Sequence, residues 1–235
     1  MRAVMDGLGR ASHVDVRHVD RQGLLKRGAR AAQLGLLGTL LLIGGATAQG
    51  QTQTLAALPD ASAAIERGGA AKPVSAWTDF CNRYPAECAV NTSEPATLTM
   101  TPSLWRTLTA VNRRVNGRIR PMIDQDHWGV VDRWDFPDDG QGDCEDYQLL
   151  KRRMLVERGL ARRALRMTVV IDEIGEGHAV LMVRTDRGDY ILDNKTNAIL
   201  PWQRTGYTYV KREGQDGLAW VALNGVASPV TTANR

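Results

Sequence analysis

The sequence has few of the residues that build unusual architectures. Only 3 of its 235 residues are cysteine, and it contains 23 glycines and 9 prolines. These low counts exclude a disulfide-dense miniprotein and a collagen-like chain. Apolar residues make up 43% of the sequence and charged residues 24%, which excludes a wholly disordered chain. A chain of this length predicts one ordinary domain, or at most two small ones.

An excess of positive charge is absent from most of the chain, although the formal net charge is +4. Residues 1–48 contain seven Lys or Arg and three Asp or Glu, and residues 49–235 contain 23 of each sign. The balanced body indicates a protein that does not bind nucleic acid. The pairs Arg152-Arg153 and Arg162-Arg163 are accordingly interpreted as solvated surface.

The chain also lacks an apolar run long enough to span a membrane. The run Leu34–Ala46 covers 13 residues, against the roughly 20 needed to cross a bilayer. It follows a basic stretch and ends in Ala46-Thr47-Ala48, a pattern typical of signal-peptide cleavage. A membrane anchor is the alternative. We expect residues 1–48 to be a signal peptide and the mature protein to be periplasmic or secreted.

Export decides how the cysteines are interpreted, because an oxidising compartment favours pairing. Cys81 and Cys88 lie close together and are the expected disulfide, with two unpaired buried thiols as the alternative. Cys144 has no nearby partner in the sequence, so its role needs a separate explanation.

The remaining pattern places helices before strands. Residues 49–74, rich in Ala, Gly, Thr and Gln, predict a flexible segment. Apolar spacing and capping residues predict helices over 75–85, 102–120 and 144–158, and residues 121–143 predict a long structured loop. Short β-rich runs follow at 167–171, 179–184, 190–192, 207–210 and 218–223, with a hairpin turn at 186–189. This order predicts an α+β domain with an antiparallel sheet over residues 75–235.

Cys144 begins a predicted helix, directly after the N-cap Asp143. The backbone amides and dipole of a helix N-terminus favour a thiolate and can lower the pKa of a cysteine. A thiolate attacks carbonyl carbons, so Cys144 is a candidate nucleophile whose backbone N–H could also stabilise an oxyanion.

A cysteine nucleophile needs a base and an orienting group, and residues 49–235 contain only two histidines. His178 directly precedes one predicted strand and Asp193 directly follows the next, so antiparallel pairing brings them within a few residues of each other. His127 lies in the long loop and is expected to face solvent.

Several blocks carry a resemblance to a known family. They are Trp77-Thr78-Asp79-Phe80-Cys81, Gly142-Asp143-Cys144-Glu145-Asp146-Tyr147, Gly177-His178-Ala179-Val180-Leu181 and Leu192-Asp193-Asn194. Together they resemble the bacterial transglutaminase-like cysteine peptidases, a family that includes periplasmic proteases of surface adhesins.

The resemblance implies a papain-like or transglutaminase-like core in which the nucleophile helix packs on an antiparallel sheet. It implies a Cys144, His178 and Asp193 triad, in which His178 acts as base and then acid and Asp193 orients it. It also implies a protein substrate such as a surface adhesin, and an inner-membrane receptor that senses a cyclic dinucleotide.

Acidic residues flank Cys144 on both sides. Asp143, Glu145 and Asp146 would repel a thiolate and raise its pKa, which opposes the effect of the helix. A hard cation bound by these carboxylates would remove the conflict. In the family the acidic residues around the cysteine bind calcium, so these three positions are the predicted ligands. Alternatively, Asp143 is only a cap and the other two only balance the helix dipole.

Two other functions stay open at this stage. The same acyl-enzyme could transfer its acyl group from a glutamine to an amine, which adds mass to the product where hydrolysis fragments it. A calcium-dependent binding module could also keep the fold without turnover; it would bind calcium while Cys144 stays unreactive.

Overall fold

The computed structural model describes residues 57–217 and 219–223. The predicted signal peptide and residues 49–56 lie outside the described residues, so both stay predictions. Within the described part, the helices precede most strands of an antiparallel sheet, with one edge strand before them, which confirms the predicted α+β class.

The helices agree with the capping signals of the sequence. They are α1 Ser75–Arg83, α2 Pro85–Cys88, α3 Pro102–Arg118, α4 Asp124–His127 and α5 Cys144–Val156, with 3-10 turns at Arg162–Ala164 and Trp202–Arg204. Thr101 caps α3 by accepting a hydrogen bond from the backbone N–H of Leu104, and proline occupies the first helical position. Gly159, with a φ of 84°, follows the end of α5, as expected of a helix terminator.

The strands are β1 Arg67–Ala70, β2 Arg120–Pro121, β3 Gln141–Gly142, β4 Leu165–Ile171, β5 Gly177–Thr185, β6 Gly188–Leu192, β7 Leu200–Pro201, β8 Thr208–Glu213 and β9 Trp220–Leu223. Seven of them form an antiparallel sheet in the order β1-β9-β8-β4-β5-β6-β7. The predicted loop 121–143 is structured, because it contains α4 and because β2 and β3 pair in parallel across its two ends.

Alternation along the strands separates two apolar layers. Val169 and Leu181 belong to the larger core, with α1, α3 and α5, whereas Val170 and Val180 belong to a smaller cluster. This is the period of two expected of a sheet that is covered on both faces. Helix α5, which begins at Cys144, therefore packs on an antiparallel sheet, as the resemblance implies.

The segment before α1 differs from the predicted flexible segment in its described part. Residues 67–70 form the edge strand β1, and Ile65 is buried while its backbone N–H donates to Asp189 Oδ2 at 2.8 Å. Backbone pairing with β9 orders this stretch, although its composition carries no periodic signal.

Arg152 is also placed differently from the sequence interpretation. Its side chain is only 1% exposed and its Nη1 lies 2.6 Å from Glu213 Oε2, so it belongs to the interior. The predicted disulfide is confirmed: Cys81 and Cys88 are bonded, with their Cα atoms 5.6 Å apart, and link α1 to α2.

Candidate active site

Three elements bring the predicted site residues together. Cys144 is the first residue of α5, His178 is the second residue of β5, and Asp193 directly follows β6. The pairing of Leu181 with Leu192 continues to place Asp193 opposite Val180, two positions from His178. Positions 178 and 180 share one face of the strand, so His178 and Asp193 are diagonal neighbours.

His178 and Asp193 form a buried hydrogen bond. Imidazole Nε2 lies 2.9 Å from Asp193 Oδ1, and the two residues are 3% and 2% exposed. Because a carboxylate only accepts, Nε2 carries the proton and Nδ1 is the ring nitrogen available for proton exchange.

Asp193 is held by further donors that the sequence did not indicate. The backbone N–H of Lys195 donates to Oδ1 at 3.0 Å, and the hydroxyl of Tyr207 donates to Oδ2 at 2.6 Å. Burial raises the pKa of Asp193, but the hydrogen bond and charge of His178 and the bond from Tyr207 outweigh it and lower this pKa to about 2. Asp193 is therefore a carboxylate at neutral pH.

Cys144 contacts the strand that carries His178. The backbone N–H of Ala179 donates a hydrogen bond to its sulfur, which places the start of α5 against residue 179. On the other side, the thiol donates to Glu145 Oε2 at 3.1 Å. The structure thus brings Cys144 to the residue next to His178.

The helix N-terminus predicts a lowered thiol pKa, but the surroundings of Cys144 raise this pKa instead. Cys144 is 1% exposed, and its pKa is raised well above its ordinary value. Burial is the main cause, and the charges of Glu145 and Asp143 add to it. Desolvation and the two neighbouring carboxylates together outweigh the helix N-terminus.

The predicted calcium ligands are part of a larger acidic cluster. Asp143, Glu145 and Asp146 are each at most 1% exposed, and the loop before them contributes Asp124 and Asp132. Carboxylate oxygens of Asp124, Asp143 and Asp146 lie within 4.8 Å of one another, as do those of Asp124, Asp132 and Glu145. These five residues are called the acidic cluster below.

Close packing around Gly142 holds one end of this cluster. Asp146 Oδ2 accepts from the backbone N–H of Asp143 at 3.4 Å, and Asp146 Oδ1 accepts from that of Asp135 at 2.9 Å. A Cβ at position 142 would lie 2.6 Å from Asp146 Oδ2, so only glycine fits there. Glycine at position 142 is thus required by its packing against Asp146.

The acidic cluster is short of positive charge. Burial raises the pKa of Asp143 to about 7, and burial followed by the charge of Asp143 raises the pKa values of Glu145 and Asp146 well above their ordinary range. Asp124 Oδ1, Asp143 Oδ1 and Glu145 Oε1 are buried with no hydrogen-bond partner within residues 57–217 and 219–223. Carboxylate oxygens with open lone pairs are the donors that calcium prefers.

His127 lies outside the candidate triad, and it is less exposed than the sequence predicts. It ends α4, its side chain is 10% exposed, and its Nε2 lies 2.8 Å from Asp139 Oδ2. His178 is therefore the histidine that the fold places beside the nucleophile candidate.

The described helices include none that is both long and apolar enough to cross a bilayer.

Comparison with known families identifies the class. The family of bacterial transglutaminase-like cysteine proteinases matches residues 67–228, and the chain belongs to this family. It is accordingly a transglutaminase-like cysteine peptidase. A search of curated proteins found no match.

Solved structures similar to the chain include two forms of LapG from Legionella pneumophila. The calcium-bound form is 22% identical over 68% of this chain and 83% of LapG, with a TM-score of 0.45. The EGTA-treated form is 23% identical over 64% of this chain and 77% of LapG, with a TM-score of 0.43.

Proposed function

We propose that the chain is an exported cysteine protease in which Cys144, His178 and Asp193 form the catalytic triad. The observation that carries the proposal is the buried bond from His178 to ionised Asp193, on the strand whose Ala179 amide contacts Cys144. Membership in a peptidase family supplies the reaction class, and the geometry supports the proposed roles.

The triad accounts for each proton of the reaction. Cys144 Sγ bonds to the scissile carbonyl carbon as its proton moves to His178 Nδ1, and the Cys144 backbone N–H donates to the oxyanion. Collapse breaks the C–N bond while Nδ1 protonates the leaving amine. Water then attacks the thioester and gives a proton to Nδ1, and collapse releases the acid and returns the proton to Sγ. Asp193 holds the ring in its Nε2-protonated form throughout.

We propose calcium dependence for the same site. The open carboxylate oxygens of the acidic cluster fit calcium, and Asp124, Asp132, Asp143, Glu145 and Asp146 would hold it. Bound calcium supplies the positive charge that this cluster lacks. Burial is the main cause of the raised pKa of the Cys144 thiol, and compensating Glu145 and Asp143 would remove the repulsion that adds to it.

The proposal also includes the localisation of the protein and its partners. The Cys81–Cys88 disulfide is typical of an oxidising compartment, which favours the periplasm or the exterior over the cytosol. The family resemblance suggests a surface adhesin as substrate and an inner-membrane receptor as regulator.

Reaction of Cys144 with a thiol-directed electrophile tests the proposal. We expect calcium to speed labelling of the wild type and chelator to slow it, and Cys144→Ala to abolish it. His178→Ala should slow labelling by about 100-fold or more, because the base is lost. His127→Ala is the matched control and should label at the wild-type rate.

Equal labelling rates for His178→Ala and His127→Ala would overturn the triad. Calcium binding with no labelling of Cys144 would point to the non-catalytic binding module. For a reactive enzyme, mass spectrometry of products separates hydrolysis from acyl transfer to an amine, because only the former yields fragments.

A further inference from the structure

A groove lies between α3 and the C-terminal half of α5, away from the acidic cluster. It has a volume of about 380 Å³, and residues of the 137–140 loop also line it. Its apolar lining comes from both helices and includes Val115, Ile119, Leu150 and Met154. This apolar lining could accept aliphatic side chains from a partner.

Arginines dominate the charged lining of this groove. The four arginines are Arg114, Arg118, Arg153 and Arg158, against two carboxylates, Asp138 and Glu157. Helix α3 carries four arginines in all and no Asp or Glu. Residues 49–235 are neutral as a whole, so the positive charge of this groove is a local concentration.

Two of these arginines are available to a ligand. Arg114 and Arg118 are exposed, and in the described part of the chain neither guanidinium has a hydrogen-bond or ion-pair partner. Arg153 lies 3.7 Å from the mostly exposed Asp138, and Arg158 donates to the carbonyl of Met154 at 2.5 Å. A guanidinium group offers a planar set of donors that matches a carboxylate.

The two ends of the sequence, residues 1–56 and 224–235, carry no excess of acidic residues that would complement this charge. Residues 224–235 contain no Asp or Glu, and residues 1–56 contain seven Lys or Arg against three acids. A nucleic-acid backbone is disfavoured as well, because Asp138 and Glu157 lie among the arginines. Apolar lining combined with guanidinium groups fits an acidic protein segment that also carries aliphatic side chains.

We propose that this groove, called the arginine groove, is a docking site for an acidic, leucine-type segment of the protein substrate. The role as a substrate site rests on the proposed protease function, whereas binding itself can be measured without turnover. Cys144 and Met154 are ten residues apart on α5, or about 15 Å at 1.5 Å per residue. An extended chain covers that distance in about five residues, so the docked segment lies at least that far from the scissile bond.

Fluorescence anisotropy with a designed probe tests the proposal on the full mature chain. The probe is a short labelled peptide rich in glutamate and containing leucine, and its partner peptide has glutamine in place of glutamate. We expect the acidic peptide to bind at least about tenfold more tightly, and its affinity to fall as salt rises. Arg114→Glu combined with Arg118→Glu should weaken binding by about tenfold or more.

Arg106→Glu combined with Arg113→Glu is the matched control. It makes the same charge change on exposed residues of the same helix, outside the groove lining, and should keep most of the affinity. Both double variants should keep wild-type labelling of Cys144 and wild-type thermal unfolding.

The proposed docking role of the arginine groove is overturned if the two peptides bind with equal affinity or if neither binds. It is also overturned if the two double variants weaken binding by the same factor. Tighter binding of a short oligonucleotide than of the acidic peptide would also overturn it, in favour of a nucleic-acid partner. Failure of Cys144 labelling in the wild type would instead count against the protease function and leave peptide binding as a separate result.

Discussion

Two buried charge clusters on helix α5 are compensated in opposite ways. At its N-terminus, the acidic cluster gathers five carboxylates, three of which have a buried oxygen with no hydrogen-bond partner among the described residues. Two turns further along α5, Arg152 lies 2.6 Å from Glu213, a buried residue of β8 that is also 3.9 Å from Arg166. The Glu213 cluster contains both signs of charge, whereas the acidic cluster consists of carboxylates alone.

The difference shows which cluster the chain completes by itself. Glu213 also accepts hydrogen bonds from Trp77 Nε1 at 2.6 Å and from the backbone N–H of Met167 at 3.0 Å, so all its partners come from the fold. Among the described residues, no cation lies within a salt-bridge distance of Asp143, Glu145 or Asp146, and burial, followed by the neighbouring carboxylates, raises the pKa values of Glu145 and Asp146. We infer that the Glu213 cluster is structural and that the acidic cluster needs an external cation.

The largest effect is expected from Glu213→Gln. Removing the carboxylate leaves two buried arginines uncompensated, which should cost about 3–5 kcal/mol in the free energy of unfolding, measured by urea titration. Asp216→Asn is the control, because Asp216 pairs with Arg67 and Arg163 at the surface and should cost less than about 1 kcal/mol. Similar losses in the two variants would contradict the comparison.

The Glu213 cluster also predicts how the free energy of unfolding changes with pH. Burial alone would raise the pKa of Glu213, but Arg152 and Arg166 lower it below the ordinary glutamate value of about 4.3. Its stabilising contribution is therefore complete above that value and is lost as the pH falls through the lower folded value. Acid should destabilise the wild type more than it destabilises Glu213→Gln.

A smaller effect, of opposite sign, is expected from Asp143→Asn in chelator. Asparagine caps a helix as well as aspartate, so the substitution removes only charge from an overcharged cluster. We expect the metal-free protein to gain about 1 kcal/mol of unfolding free energy. Wild type should instead gain about 2.7 kcal/mol when calcium is present at 100 times its dissociation constant, and Asp143→Asn should lose most of that gain.

Differential scanning calorimetry with calcium and with chelator measures both changes. Asp126→Asn is the matched control, since Asp126 is exposed on α4 and lies outside the acidic cluster, and it should respond to calcium as wild type does. If calcium leaves the unfolding temperature of the wild type unchanged, the cluster does not bind it.

Only part of each cluster could be predicted from the sequence. Asp143, Glu145 and Asp146 are neighbours in the first turn of a recognisable helix, so local pattern was enough to group them. Asp124 and Asp132 lie in a loop without a period, and only the folded path of residues 124–143 brings them there. Arg152 and its partner Glu213 are 61 residues apart, so charge in the sequence suggested solvent exposure where the fold provides a buried pair.

The His178 and Asp193 pair was accessible to sequence reasoning because one hairpin carries both. The prediction placed facing residues at positions summing to about 375, and the observed pairs, such as Leu181 with Leu192, sum to 373. Tyr207 gave no such signal. Tyr207 directly precedes β8, which pairs with β4 and β9, and its contact with Asp193 depends on the chain path after β6.

The smallest effect is expected from Tyr207→Phe. This variant probes Asp193, a buried carboxylate outside both clusters that accepts hydrogen bonds from neutral donors as well as from His178. Loss of the 2.6 Å bond leaves Asp193 Oδ2 without that donor and raises the pKa of Asp193 from about 2. The Tyr207 ring also packs edge-on against His178, with centroids 5.8 Å apart, and phenylalanine keeps this contact. We expect kcat to fall about tenfold, equivalent to about 1.4 kcal/mol, with KM unchanged, and the acid limb of the activity profile to move to higher pH.

Tyr209→Phe removes a hydroxyl bonded to Thr205 instead of Asp193, so it should leave the acid limb in place. An identical shift in both variants would mean that loss of a buried hydroxyl, and not the bond to Asp193, controls the profile.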